Sequence, residues 1–181
     1  MDLISIDSLS NEQIERILDR GLRWFDYNRS DSRGQDKRLH HKLVFNLFYE
    51  NSTRTAMSFA TAAHRLGASP VFLPVEQSSI KKGETFEDTA LTLNAMRPDC
   101  IVVRHRENGA PQRMAELVNC PTINAGDGTN EHPTQALLDA LTIRRAGLMP
   151  DSAYADHSSS WLSPPKRTRS AASIASPRPT R

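Results

Sequence analysis

Cysteine is nearly absent from this 181-residue chain, which holds only Cys100 and Cys120. Their spacing matches no zinc or redox motif, and both lie beside apolar runs, so they read as reduced core thiols. Aromatic residues make up 6% of the chain, and no apolar run approaches the ~20 residues of a membrane span. The start, Met1, Asp2, Leu3, Ile4, lacks the basic stretch and apolar core of an export signal, and a cytoplasmic location is the expectation. Net charge is also scarce: 23 Lys+Arg stand against 21 Asp+Glu. The excess sits in residues 146–181, with five basic against two acidic groups, whereas residues 1–145 carry 18 against 19. Such a near-neutral body gives no reason to expect nucleic acid or a membrane as partner. His40, His41, His64, His105 and His157 show no metal-like spacing, so no metal site is expected, and no Ser-His-Asp pattern stands out.

What is present is an alternation of strand-like and helix-like segments. Ser10 and Gln13 form a capping box ahead of Ile14, Ile17, Leu18, Leu22 and Phe25, which recur at helical spacing. Residues 26–41 read as a polar loop, 43–49 as a strand, and 53–66 as a helix stopped by Gly67. A short strand at 71–73 and a polar loop at 76–83 follow, the loop carrying Ser78, Ser79, Lys81 and Lys82. Phe86, Ala90 and Leu93 line a helix that ends before Pro98, and Cys100 opens a β-branched run with Arg104 at its end. Residues 111–118 read as a helix, Thr122 and Ile123 as a short strand, and 126–131 as a turn. Pro133 then stands where a helix favours proline, at its first position. This pattern predicts an α/β domain with a four-stranded parallel sheet flanked by helices. Ligands bind such sheets at the carboxyl ends of the strands. Residues 146–181 are crowded with Ser, Pro, Ala and Arg and show no sustained period, and the reading is a disordered, low-complexity tail.

Three strand ends therefore share one crevice. After the first strand come Ser52, Thr53, Arg54 and Thr55 at a helix N-terminus, where unpaired backbone N–H groups, the helix dipole and a forked guanidinium suit a phosphate. Arg104 follows the third strand, placed for a second face of a phosphate or for a carbonyl oxygen, and His132 and Gln135 follow the fourth and can point donors at the same oxygen; donors aimed at a carbonyl oxygen stabilise the charge that develops there under attack. Local roles compete with this reading. Ser52 and Thr53 would serve as an N-cap cluster, Arg104 could pair with Glu107 or another nearby acid, and His132 and Gln135 could cap their helix.

Four ordered motifs tip the balance: Ser52-Thr53-Arg54-Thr55; Ser78-Ser79-Ile80-Lys81-Lys82-Gly83-Glu84-Thr85; Val103-Arg104-His105; and Gly126-Asp127-Gly128-Thr129-Asn130-Glu131-His132-Pro133-Thr134-Gln135. Together they closely resemble the catalytic chain of the aspartate carbamoyltransferase family, over about the first 145 residues, the family's carbamoyl-phosphate domain. The resemblance implies that Ser52, Thr53, Arg54 and Thr55 hold the phosphate of carbamoyl phosphate, and that Arg104, His132 and Gln135 bind its carbamoyl end and polarise the carbonyl. Arg54, Thr55, Arg104, His132 and Gln135 are the implied catalytic residues. Ser78, or less surely Ser79, and Lys82 would lie on a loop that reaches a neighbouring subunit's site, which implies a homotrimer. The implied reaction is carbamoyl transfer to L-aspartate in pyrimidine biosynthesis, by direct displacement and without metal or cofactor. Ornithine enzymes usually carry a second arginine after the first motif's threonine and lack the lysine loop, whereas this chain has Ala56, which favours aspartate.

Residues 146–181 resemble no part of the family's aspartate-binding domain, so a truncated or frameshifted product is expected, with little or no turnover of its own. The alternative is a non-catalytic carbamoyl-phosphate-binding or phosphate-binding fragment, or a trimeric scaffold. A regulatory or dihydroorotase-like partner is compatible with either.

Overall fold

The computed structural model describes residues 1–30, 36–73 and 84–148. Helix α1 (Asn11–Arg29) opens with the expected box: the Gln13 N–H donates to Ser10 Oγ (3.2 Å) and the Ser10 N–H to Gln13 Oε1 (2.7 Å). The helix takes in the first four residues of the stretch expected to be loop, 26–29, where Tyr27 and Trp24 pack edge to face and Arg29 stacks over Phe25 along it. Next come strand β1 (Leu43–Phe48), helix α2 (Thr53–Arg65) and strand β2 (Ser69–Leu73). Gly67 ends the α2 turn in the left-handed region at φ +86°, and a side chain there would collide with the Asp36 carbonyl.

Helix α3 (Phe86–Ala95), strand β3 (Cys100–His105), helix α4 (Ala110–Leu117), strand β4 (Thr122–Asp127) and helix α5 (Pro133–Arg145) complete the order. All strand pairs are parallel, in the spatial order β2-β1-β3-β4. The expected α/β sheet is thus present. Near the N-terminus, Leu3 bridges Ile123 on the outer side of β4. β1 ends one residue short of its expected limit, whereas β2 begins earlier, at Ser69, and β4 continues through Gly126 and Asp127, which their turn-rich neighbours assigned to a turn.

Successive strand residues point to opposite faces and find different helices. Phe45, Leu47, Ile101 and Val103 pack with Ala90 and Leu93 of α3 and Met114 of α4. Val44, Val102 and Ala125 pack on the other face with Ala63 of α2 and Ala68. A third cluster, with Ile14 and Leu18 of α1 and Leu137 and Ala140 of α5, gathers Ile6 and Leu9 beneath it. Both faces of the sheet are covered, so the groups left to meet a ligand lie at its carboxyl edge. Burial pushes the Cys100 thiol up to about 12 and raises that of Cys120, as suits inert core thiols. Only residues 146–148 of the expected tail are described, and the rest of it lies outside the described residues.

Candidate active site at the carboxyl edge of the sheet

The first expected group sits at the start of α2. Ser52 is the N-cap residue, yet its hydroxyl does not cap the backbone; it donates to Thr55 Oγ1 at 2.9 Å. No acidic residue occupies the first turn. Helices α1 and α3 differ, since each has a full capping box and acids in its first turn. The first N–H groups of α2 consequently keep their positive end of the helix dipole uncompensated by a side chain. Helix α5 begins the same way: His132 is its N-cap with no side-chain cap bond, Pro133 is buried at its first position, and the first turn has no acid.

Arg104 lies between these two helix starts. The strand ladder sets Phe48 of β1 opposite it, and the Tyr49 N–H donates to its carbonyl at 2.9 Å. Its guanidinium forks. Nη2 pairs with Glu50 Oε2 at 2.9 Å and Nη1 donates to the Ala125 carbonyl at 2.9 Å, while Nε is buried without a partner among the described residues. The acid that Arg104 finds is Glu50, and Glu107 instead pairs with Arg113.

Gly126 explains how Arg104 and His132 come together. It has φ +117°, and a Cβ built there would stand 2.5 Å from Arg104 Nη1 and 3.6 Å from His132 Cδ2. The guanidinium and Cδ2 of the imidazole therefore both face the space over this glycine. Burial first, and then the charge of Arg104, hold the His132 pKa below its ordinary value, against a smaller opposing pull from Asp139. Both effects favour the uncharged ring. Thr134 Oγ1 stands 3.2 Å from His132 Nδ1; when its hydroxyl donates there, Nε2 carries the proton and becomes a donor on the Arg104 side.

Not every expected residue joins this cluster. Gln135 is exposed, and its amide donates to Asp139 one turn along α5 at 2.9 Å. Arg54 is exposed and makes no ion pair among the described residues; it lines an open groove of about 550 Å³ with Trp24, Met57 and Arg65 on the α1–α2 side. Ser78, Ser79, Lys81 and Lys82 lie outside the described residues. Conversely, sequence reading missed Glu50 as the partner of Arg104, named Asp127 within the fourth motif without giving it a role, and missed Asn124 altogether. Asn124 donates to the Ile4 carbonyl (2.9 Å) and accepts from the Gly126 N–H (2.8 Å), and Ile6 donates to Glu131 Oε2 (2.9 Å), so the chain start is knitted to the loop that precedes His132. A buried Asn and Asp within one strand run were the available signal. An aromatic group of Tyr49, Phe86 and His105 closes the adjoining edge, with ring centroids 4.6–5.7 Å apart.

Similarity to known proteins follows this geometry. Residues 1–145 match the family model described as aspartate/ornithine carbamoyltransferase, carbamoyl-P binding domain. The aspartate carbamoyltransferase catalytic subunit of Sphingopyxis alaskensis is 55% identical over 143 residues, covering 79% of this chain and 42% of that protein. The catalytic subunit of Rhodospirillum rubrum is 54% identical over 143 residues, covering 79% of this chain and 44% of its own length. The aspartate transcarbamoylase of Trypanosoma cruzi, solved in complex with carbamoyl phosphate, superposes with a TM-score of 0.74 at 38% identity, covering 80% of this chain and 46% of that one. The chain thus spans less than half the length of these relatives. Within that span, the chain belongs to the aspartate/ornithine carbamoyltransferase family, a family of carbamoyl-transferring enzymes, and corresponds to its carbamoyl-phosphate-binding domain.

Proposed function

We propose that this chain binds carbamoyl phosphate at the carboxyl edge of its sheet and serves aspartate carbamoyltransferase chemistry, giving N-carbamoyl-L-aspartate and phosphate. The observation that carries this reading is the approach of Arg104 Nη1 and His132 Cδ2 over Gly126, between two helices whose first turns hold no acid. A dianionic phosphate suits the N-terminus of α2, with Ser52, Thr53 and Thr55 as its ligands and Arg54 joining them once its side chain turns in from the α1–α2 groove. The carbamoyl oxygen then lies under Arg104, His132 and Thr55, with Gln135 reaching the same end once its amide turns from Asp139. Attack by the unprotonated amine of aspartate forms the C–N bond and moves the carbonyl π pair onto oxygen; collapse of that oxyanion breaks the C–O bond to phosphate, and the leaving phosphate takes up the proton released by nitrogen. The donors stabilise the oxyanion in between, and each contributes on the order of 10²-fold in rate. Neutral His132 suits this task because it donates without adding a second cation beside Arg104.

Ser78 and Lys82 belong to this reading as groups offered to a neighbouring copy in a homotrimer, and pyrimidine biosynthesis in the cytoplasm is its setting. The chain spans less than half of its relatives, and in this reading the groups that hold aspartate belong to the length that it does not match. The same span favours a second reading, a carbamoyl-phosphate-binding unit with little turnover of its own. One experiment separates the two: carbamoyl-aspartate formation by the purified chain, beside calorimetry with carbamoyl phosphate and an Arg54→Ala control. Turnover lost in the control supports the enzyme; binding lost in the control without any turnover supports the binding unit. Absence of binding rejects both.

A further inference from the structure

Asp127, at the end of β4, is 2% exposed and receives four donors, three from within four residues of it and one from Gly109 in the preceding connection. Its Oδ1 accepts from the Asn124 side-chain amide (3.1 Å) and the Glu131 N–H (2.9 Å). Its Oδ2 accepts from the Gly109 N–H (2.9 Å) and the Asn130 side-chain amide (3.0 Å). Burial by itself would raise the pKa of this carboxyl, yet the donors from Gly109, Asn130, Glu131 and Asn124 together hold it below the usual carboxylate range.

The placement of those donors is informative. The Asp127 N–H donates to the Glu131 carbonyl (3.1 Å) and its carbonyl accepts from the Asn130 N–H (3.0 Å), so residues 127–131 are closed upon themselves immediately before His132. Gly109 belongs to the other connection, the one that leaves β3 after Arg104 and His105 and starts α4. Between the two, the Gly128 N–H donates to the His105 carbonyl at 2.9 Å, across a register shift in the β3–β4 ladder. A single ionised side chain thus ties the segment following Arg104 to the segment preceding His132.

We propose that Asp127 is a positioning residue for the carbamoyl-phosphate site, its carboxylate fixing the loop after β3 to the loop after β4 and so setting Arg104 against His132. This inference rests on the function proposed above. Charge and geometry both matter. All four neighbours are donors, so an asparagine would turn its own NH₂ group against two of them whichever way the amide faced. The loop would reopen at Glu131 or at Gly109, and the His132 ring would gain solvent.

The test uses the full chain, with Asp127→Asn and the milder Asn130→Ala, which removes one donor from the exposed end of the network. The His132 ring C–H signals are followed by NMR against pH, and carbamoyl phosphate and inorganic phosphate are titrated calorimetrically at a temperature where circular dichroism shows every variant folded. In Asp127→Asn the His132 pKa should rise toward the ordinary histidine value, and carbamoyl phosphate affinity should fall by about tenfold or more, since displacing a donor by as little as ~1 Å is costly. Asn130→Ala should move both readouts the same way by less, and it decides the matter if Asp127→Asn does not fold. Variants that melt earlier but keep the His132 titration and the affinity of the unmodified chain would reduce Asp127 to a purely structural role. Failure of the unmodified chain to bind either ligand would overturn the functional reading, while the His132 titration would still report whether Asp127 positions that ring.

Discussion

Glu50 and Arg104 form an ion pair of 2.9 Å across the carboxyl ends of β1 and β3, with the Glu50 side chain 45% and the Arg104 side chain 22% exposed. The carboxylate occupies one arm of the guanidinium fork, while the other arm is held by the Ala125 carbonyl. An incoming anion must compete for that arm. A pair of this exposure is worth ~0.2–1 kcal/mol, so Glu50→Gln should tighten inorganic phosphate binding by up to about fivefold, measured by calorimetry at low salt. A weaker complex would mean that Glu50 orients Arg104 more than it competes for it.

Gly126 tolerates no side chain for two separate reasons. Its φ of +117° lies where L-residues are strained, and the Cβ would press on Arg104 Nη1 and Cζ. Gly126→Ala should lower stability by ~1–3 kcal/mol and, by pushing the guanidinium off the Ala125 carbonyl, weaken carbamoyl phosphate binding. Thermal melting and calorimetry on the same sample test this together. Unchanged affinity would show that Arg104 binds ligand equally well from a displaced position.

Acid should destabilise the fold through its histidines before its carboxylates. The folded-state pKa values of His132 and His105 lie below the ordinary value of 6.5, in each case with burial as the largest cause. As pH falls through 6.5 the unfolded chain takes up these protons first, so stability declines until the lower folded values are reached and then levels. Asp127 adds a second decline at lower pH, because its folded pKa is depressed and its contribution disappears as it is protonated. Urea midpoints across this range should show the first decline, reduced in His132→Asn.

Asn46 stands in the middle of β1, 1% exposed, opposite Phe72 and Val102, with neither side-chain amide atom partnered among the described residues. It shares a face with Val44, which packs against Val102 and Ala125. Exchanging an unsatisfied buried amide for a β-branched apolar residue removes a desolvation cost of ~1–3 kcal/mol. Asn46→Val should therefore raise the melting temperature. A lower one would reveal a partner that the amide needs.

Local chemistry was legible from residue order. The Ser10–Gln13 box, the Gly67 stop and Pro133 at the head of α5 each depend on groups within four residues of one another, so spacing alone located them. The β–α alternation likewise predicted the parallel sheet and placed Ser52, Arg104 and His132 at strand ends. Strand limits were less legible. Gly126 and Asp127 look like a turn, and they extend β4 because the ladder to β3 and the donors around Asp127 satisfy their polar groups.

By itself, then, the sequence determined the order of elements, the parallel sheet and the absence of acids from the first turns of α2 and α5, because helical and strand periods and the residues of a first turn are local properties. Only the tertiary structure decided that Arg104 pairs with Glu50 instead of Glu107, that Gln135 turns to Asp139, and that Asp127 joins Gly109 to Glu131. Those outcomes depend on which strand ends lie side by side, and on the geometry that a buried carboxylate or guanidinium needs to replace the water it has lost.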